Sequence, residues 1–245
     1  MEVVRLSEAQ NSSFDREYHA SAEMFWKLEH LANRYDGAFS ILDVGGGNGV
    51  FLDTILSAFP KANGTLLDIS AELLSRNRPL PRKRLVQGAI EDIPQLLGDQ
   101  KFDVITVNWV LHHLVGRTYQ QCRKNCIAML QMCADLLSER GTLLVSETMV
   151  DGFFGTNIPS RLIYEITRIE NPAFTRLSSR FFNTAGVGVC FRSDDAWSRL
   201  FKEAGFQVDD ASYGEYWPYS LKKRALYAGL MLASQRHRHF FLRRN

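Results

Sequence analysis

The chain has 245 residues, enough for one large domain with a sizeable core. A hydrophobic fraction of 45% and a charged fraction of 23% describe an ordinary globular protein, and a net charge of +2 points to neither a nucleic-acid nor a membrane-surface partner. No stretch approaches the roughly 18 apolar residues of a membrane span, and MEVVRLSEAQ lacks a signal-peptide core, so a cytoplasmic location is expected.

In chain order, residues 14–35 carry apolar side chains at helical spacing without Pro or Gly and predict one or two helices. A strand follows over 39–44 (FSILDV), then a helix over 49–59 that Pro60 stops. Further strands are predicted at 65–69, 84–90 and 102–109, with a short helix at 71–77. The run 102–109 is almost continuously apolar, the mark of a strand buried on both faces. A long helix over 118–139 precedes a fifth strand at 141–148. Cys122, Cys126 and Cys133 fall in that helix and Cys190 stands apart. With no CxxC and no nearby His, they read as small buried side chains, and no metal is expected.

This alternation predicts βαβ units around a parallel sheet with helices on both faces. The rhythm breaks over 149–192. That segment holds Phe153, Phe154, Tyr164, Phe174, Phe181, Phe182 and Phe191 with Arg161, Arg168, Arg176, Arg180 and Arg192, and it reads as a helical insertion. Within it, FFNTAGVGVCF sets Asn183 and Thr184 in an apolar run. The rhythm resumes with a helix at 193–206, Ser193 as N-cap and Gly205 at its end, then strands at 207–214 and 239–244. The basic residues Arg236, His237, Arg238, His239, Arg243 and Arg244 read as the solvated side of an edge strand.

Four glycines crowd ILDVGGGNGVFLDTIL, between the first strand and its helix. Such a turn lets backbone approach a ligand closely, beside the unpaired N–H groups of a helix start. The spacing Gly45-x-Gly47-x-Gly49 is not the dinucleotide fingerprint, and no Walker lysine follows. With Asp43 in front, the stretch resembles the first motif of the class I S-adenosylmethionine-dependent methyltransferases, acidic-x-Gly-x-Gly-x-Gly. Asp68 at the end of the second strand, GAIEDIP (88–94), FDVITVNWVLHHL (102–114) and ERGTLLVSE (139–147) resemble the motifs that follow in order. The resemblance covers about Phe39 to Glu147 and picks up again near Ser193. Ala89 stands where the family usually has an Asp beside the adenine.

The resemblance implies a Rossmann-like, doubly wound, seven-stranded, mostly parallel sheet. Residues 1–37 would form a helical cap, 38–148 the cofactor core, 149–192 a lid and acceptor insertion, and 193–245 the rest of the sheet. It implies S-adenosylmethionine as cofactor, held by Asp43, Gly45, Gly46, Gly47, Asp68, Ile69, Ile90, Glu91 and Asn108, with Tyr18 as a cover. Candidate catalytic residues are His112, Glu147 and Tyr164: His112 for proton transfer, Glu147 for proton transfer or for binding an acceptor amine, Tyr164 for contact with the sulfonium or the acceptor. The insertion arginines are either acceptor-binding groups or a solvated helix face. The expected function is methyl transfer to a small molecule of specialised metabolism. Two alternatives stay open: use of S-adenosylmethionine without methyl transfer (cyclisation to azetidine-2-carboxylate, or pericyclic chemistry), and a non-catalytic binding partner. Prolines of a nucleic-acid amino-methylase motif are absent after Asn108, so a nucleic-acid substrate is not expected. The sequence carries no signal for an oligomeric state.

Overall fold

A computed structural model describes residues 1–5, 10, 22–179, 184–214 and 228–245. Helix α1 (Ala22–Asn33) leads into β1 (Ser40–Val44), α2 (Val50–Ala58), β2 (Asn63–Asp68), α3 (Ala71–Ser75) and β3 (Lys83–Gln87). Then come α4 (Ile93–Leu97), β4 (Phe102–Asn108), α5 (Tyr119–Leu136) and β5 (Leu137–Gly152). The insertion holds α6 (Ile158–Thr167) and α7 (Pro172–Ser178), and α8 (Asp194–Glu203), β6 (Phe206–Tyr213) and β7 (Leu232–Arg244) follow it.

The seven strands form one sheet in the order β3-β2-β1-β4-β5-β7-β6. β1 to β5 run parallel and β7 runs antiparallel to both β5 and β6. Alternate side chains enter opposite faces. Leu42, Val44, Leu143 and Val145 join one core with α5 and α8, while Ile41 and Leu144 join the other with α1 and α2. Both faces are therefore dry, which explains the continuous apolar run of β4. The strand order reverses between β1 and β4, and the crevice above that point is where open α/β sheets bind ligands.

Local chemistry explains the helix limits. Ser193 Oγ accepts the Ala196 N–H at 3.4 Å, Asp194 and Asp195 sit in the first turn of α8, and Gly205 takes φ 92° just past its end. Helix α5 stops at Leu136, short of the expected 139. Leu137 turns extended (φ −71°, ψ 139°) and pairs with Phe102, so β5 starts earlier than its sequence suggests. Helix α4, with Pro94 in its first turn, was not anticipated from the sequence.

One expectation is overturned. β7 is an inner strand, hydrogen-bonded to β5 on one side and β6 on the other, and it runs seven residues further back than 239. His239 is buried and Arg238 pairs with Asp194. The alternating basic side chains of β7 are therefore not the wet side of an edge. Among the described residues, no helix is long and apolar enough to cross a membrane.

Candidate active site

The turn after β1 is tied down from both sides. Gly47, in the left-handed region at φ 54°, donates its N–H to Asp68 Oδ2 at 2.9 Å. Its carbonyl accepts from Asn77 Nδ2, also at 2.9 Å. Asp68 Oδ1 accepts the Ser70 N–H at 2.8 Å, so one carboxylate joins the glycine turn to the start of α3. Gly49 takes φ 77° at the start of α2, and a Cβ there would lie 1.9 Å from Asn77 Oδ1. A Cβ on Gly47, by contrast, would meet only Leu73, at 3.5 Å. The space over Gly47 is therefore open, as a ligand cradle requires.

Asp43 lies beneath the turn, fully buried, and accepts the Thr106 hydroxyl at 2.7 Å. Burial pushes its carboxyl up to about 7; the nearby Asp68 adds to this and the Thr106 hydroxyl opposes it. Burial likewise raises Asp68 above the usual carboxylate range, against the pull of its backbone N–H donors. Asn108 ends β4 beside this pair; its buried amide makes no well-formed hydrogen bond, and it lies against Asp43, whose carboxyl it helps hold down. An amide with this much unused hydrogen-bonding capacity suits a polar ligand group.

The open turn, the ribose-type acid Asp68 and the waiting Asn108 amide together fit S-adenosylmethionine. Ile69 is exposed at 44% and Ile90 is half-buried, apolar side chains suited to flank a base. Glu91 is paired with Arg5 at 2.5 Å, and the Val4 N–H reaches the Val115 carbonyl at 2.8 Å, so the N-terminal residues lie along this rim. Tyr18 lies outside the described residues.

His112 sits in the single turn Leu111–His113, just past β4. Its Nδ1 is 2.7 Å from Glu147 Oε2 and its backbone N–H donates to Glu147 Oε1 at 3.2 Å. Glu147, on β5, has no exposed surface, and its Oε2 also accepts the Thr148 N–H at 3.2 Å. The imidazole packs between His113 and Phe191, with ring centroids 4.1 and 4.9 Å away. Burial and the neighbouring His112 hold His113 well below its ordinary value, so it stays neutral. A carboxylate at Nδ1 fixes the tautomer and leaves Nε2 as the basic atom. Two residues nominated separately from the sequence are thus one unit.

Tyr164 is elsewhere. It is fully buried with Val115, Cys122 and Cys190, its hydroxyl donates to the Gly116 carbonyl at 2.9 Å, and its ring packs on Tyr119. Arg168 covers that ring 4.9 Å from its centroid. These contacts are those of a packing residue. All four cysteines are buried and free, as expected.

Sequence reasoning missed several groups. Trp109, left-handed at φ 54°, donates its indole N–H to His237 Nδ1 at 3.1 Å, so β7 contributes to the rim. Burial lowers the basicity of His237 and brings His239 to about 4. Asn77 lies outside the motifs singled out, and Thr106 lies within 102–114 without any spacing rule that marks it.

Residues 42–143 match the family model described as a methyltransferase domain. The flavonoid 7-O-methyltransferase 1A of Mentha piperita is 26% identical over 77% of this chain and 48% of its own length. The chain spans about half the length of the curated relatives it matches. Among solved structures, CalO1, a methyltransferase in calicheamicin biosynthesis with SAH bound, is 20% identical over 97% of this chain and 59% of its own, with a TM-score of 0.53. The LepI complex with SAM is 12% identical over 84% of this chain and 42% of its own, with a TM-score of 0.54. These two likenesses concern the fold. Residues 42–143 thus match a methyltransferase domain, and the motifs and strand order of the chain resemble those of the class I S-adenosylmethionine-dependent methyltransferases.

Proposed function

We propose that the protein transfers the methyl group of S-adenosylmethionine to a hydroxyl of a small molecule, with His112 as general base. The His112–Glu147 pair at the rim carries this reading. A phenol or alcohol is protonated near neutral pH and needs a base when it attacks; an amine that is already neutral does not. A buried carboxylate that orients imidazole through Nδ1 suits that task.

The cofactor supplies a methyl group already activated on its sulfonium. The chain's own groups do the rest. The Gly45–Gly49 backbone, Gly46 included, would seat the amino-acid end, with Asn108 as a polar partner. Asp68 would hold the ribose hydroxyls, since its carboxylate has capacity beyond its backbone donors. Ile69, Ile90 and Glu91 would border the adenine. His112 Nε2 would take the acceptor proton while Glu147 stabilises the imidazolium. Holding acceptor and methyl group in line accounts for most of the rate gain such sites achieve. The names of the curated relatives, flavonoid and caffeic acid O-methyltransferases, support a phenolic acceptor.

Use of the cofactor without methyl transfer is less supported. It drew on an aromatic lid around the sulfonium, and Tyr164 packs instead on Tyr119 and Gly116. Incubation with S-adenosylmethionine and a panel of phenols, read by mass spectrometry, tests the proposal. Formation of S-adenosylhomocysteine with a methylated phenol is expected. Methylthioadenosine released without any acceptor would replace this reading with cyclisation.

A further inference from the structure

A second concavity, open to solvent and ringed by charged side chains, lies between α5 and α8, behind the segment that packs on His112. Its volume is about 580 Å³, and Tyr119, Arg123, Asn157, Arg192, Arg199 and Lys202 are among its walls. That volume lies in the range of small-ligand pockets, about 300–1,000 Å³, and exceeds what one inorganic oxyanion fills.

The charge is one-sided. Four cationic side chains line the cavity against a single carboxylate, Glu203, which is paired with Arg123. Arg192, Arg199 and Lys202 have no carboxylate partner among the described residues. Arg192 is the telling one, because it is only 3% exposed. Its Nε makes no hydrogen bond, and its guanidinium meets thiols, Nη2 lying 3.7 Å from Cys190 Sγ with Cys126 beside it. The rings of Tyr119 and Trp197 lie 5.1 and 5.5 Å from the guanidinium and offset part of its desolvation. A guanidinium buried without a counter-ion has lost its hydration uncompensated, and an anion that pairs with it offsets part of that cost.

The scaffold around it is fixed. The Val150 N–H donates to the Arg192 carbonyl at 2.9 Å, which holds the segment against β5. Asn157 accepts the Ser193 N–H at 2.8 Å and donates to the Tyr119 hydroxyl at 2.7 Å. Tyr119 in turn donates to the Phe191 carbonyl at 3.3 Å.

We propose that this cavity binds a phosphomonoester, its phosphate seated on Arg192 between Arg199 and Lys202. Three unpaired cations match a dianion better than a carboxylate, and a guanidinium can bind phosphate through two parallel N–H groups. The remaining volume takes the organic part of the ester. The site is separate from the glycine cradle, so the proposal stands whether or not the chain transfers methyl groups.

Calorimetry in chloride buffer at fixed ionic strength, with phenyl phosphate, inorganic phosphate and phenol as probes, tests it. Saturable one-to-one binding of phenyl phosphate is expected, with weaker inorganic phosphate and no phenol binding. The double variant Arg199→Gln/Lys202→Gln changes only exposed side chains; it should keep its melting temperature and bind phenyl phosphate at least tenfold more weakly. Arg117→Gln, a surface control outside the cavity, should bind as the parent does. Absence of saturable binding, or equal affinity in the double variant, would overturn the site. Tight inorganic phosphate with no gain for the ester would reduce it to an oxyanion site and refute the ester assignment.

Discussion

Glu147 holds His112 twice, at the ring through Nδ1 (2.7 Å) and at the backbone through N–H (3.2 Å), so ring and main chain are positioned by one carboxylate. Because Glu147 is wholly buried, the pair is fixed before any acceptor binds.

His112→Ala should therefore lower methyl transfer to a phenol by about 10²–10⁴ while leaving affinity for S-adenosylmethionine unchanged. Glu147→Gln should also lower kcat and leave cofactor affinity intact, since the amide no longer stabilises a protonated imidazole. Single-turnover rates beside calorimetric affinities check both. A parallel loss of cofactor binding would mean that the pair supports the fold rather than the reaction.

The raised pKa of Asp43 predicts a pH dependence of stability. Folded Asp43 keeps its proton up to about 7, while the unfolded chain releases it near 3.8. The unfolded state thus binds fewer protons between those values, and this group lowers stability as pH rises from about 4 to about 7. Above that the whole penalty stands, on the order of 4 kcal/mol. Asp43→Asn keeps an acceptor for Thr106 and removes the penalty. Thermal melts from pH 4 to 8 should show the variant gaining on the parent as pH rises; parallel curves would contradict the assignment.

Gly47 and Gly49 should separate binding from folding. Gly47→Val puts a side chain into open space at φ 54°, at a cost of about 1–2 kcal/mol, and should abolish cofactor binding with most of the fold intact. Gly49→Ala drives a Cβ onto Asn77, which also holds the Gly47 carbonyl, so its melting temperature should fall much further. Melts and cofactor titrations on the two variants make the comparison.

Asn108→Ala removes an amide that makes no well-formed hydrogen bond and touches only Asp43 weakly. Burying such a group costs about 1–3 kcal/mol, so the variant should be as stable as the parent or more so. Its affinity for S-adenosylmethionine should nevertheless drop at least tenfold. A destabilised variant with normal affinity would refute the role given to this amide.

The sheet and its glycine turn were legible because both rest on local rules. Apolar runs of strand length alternate with amphipathic helices, and Asp43 to Gly49 sets its pattern within seven residues. What stayed hidden was long-range pairing. Residues 236–239 alternate charge and imidazole like a wet edge, and only the insertion of β7 between β5 and β6 makes them interior. Arg192 reads as one more insertion arginine until its burial against Tyr119 and Trp197 is seen. Tyr164 looked like a lid aromatic because it lies in the aromatic segment 149–192 that interrupts the alternating core beside the rim. Its contacts come from residues 42–48 positions away, at Gly116 and Cys122, which no window around Tyr164 contains. His112 and Glu147 were each visible, yet their union depends on adjacent strands β4 and β5 ending at the same height.

The peptide groups flanking Gly47 already have both their hydrogen-bonding partners, one from Asp68 and one from Asn77. The entropy of ordering that loop is thus settled during folding, and none of it is charged to the arriving nucleoside. Capture at the cradle should then follow simple bimolecular kinetics, its observed rate climbing in a straight line with ligand concentration and reaching no plateau from a slow loop closure.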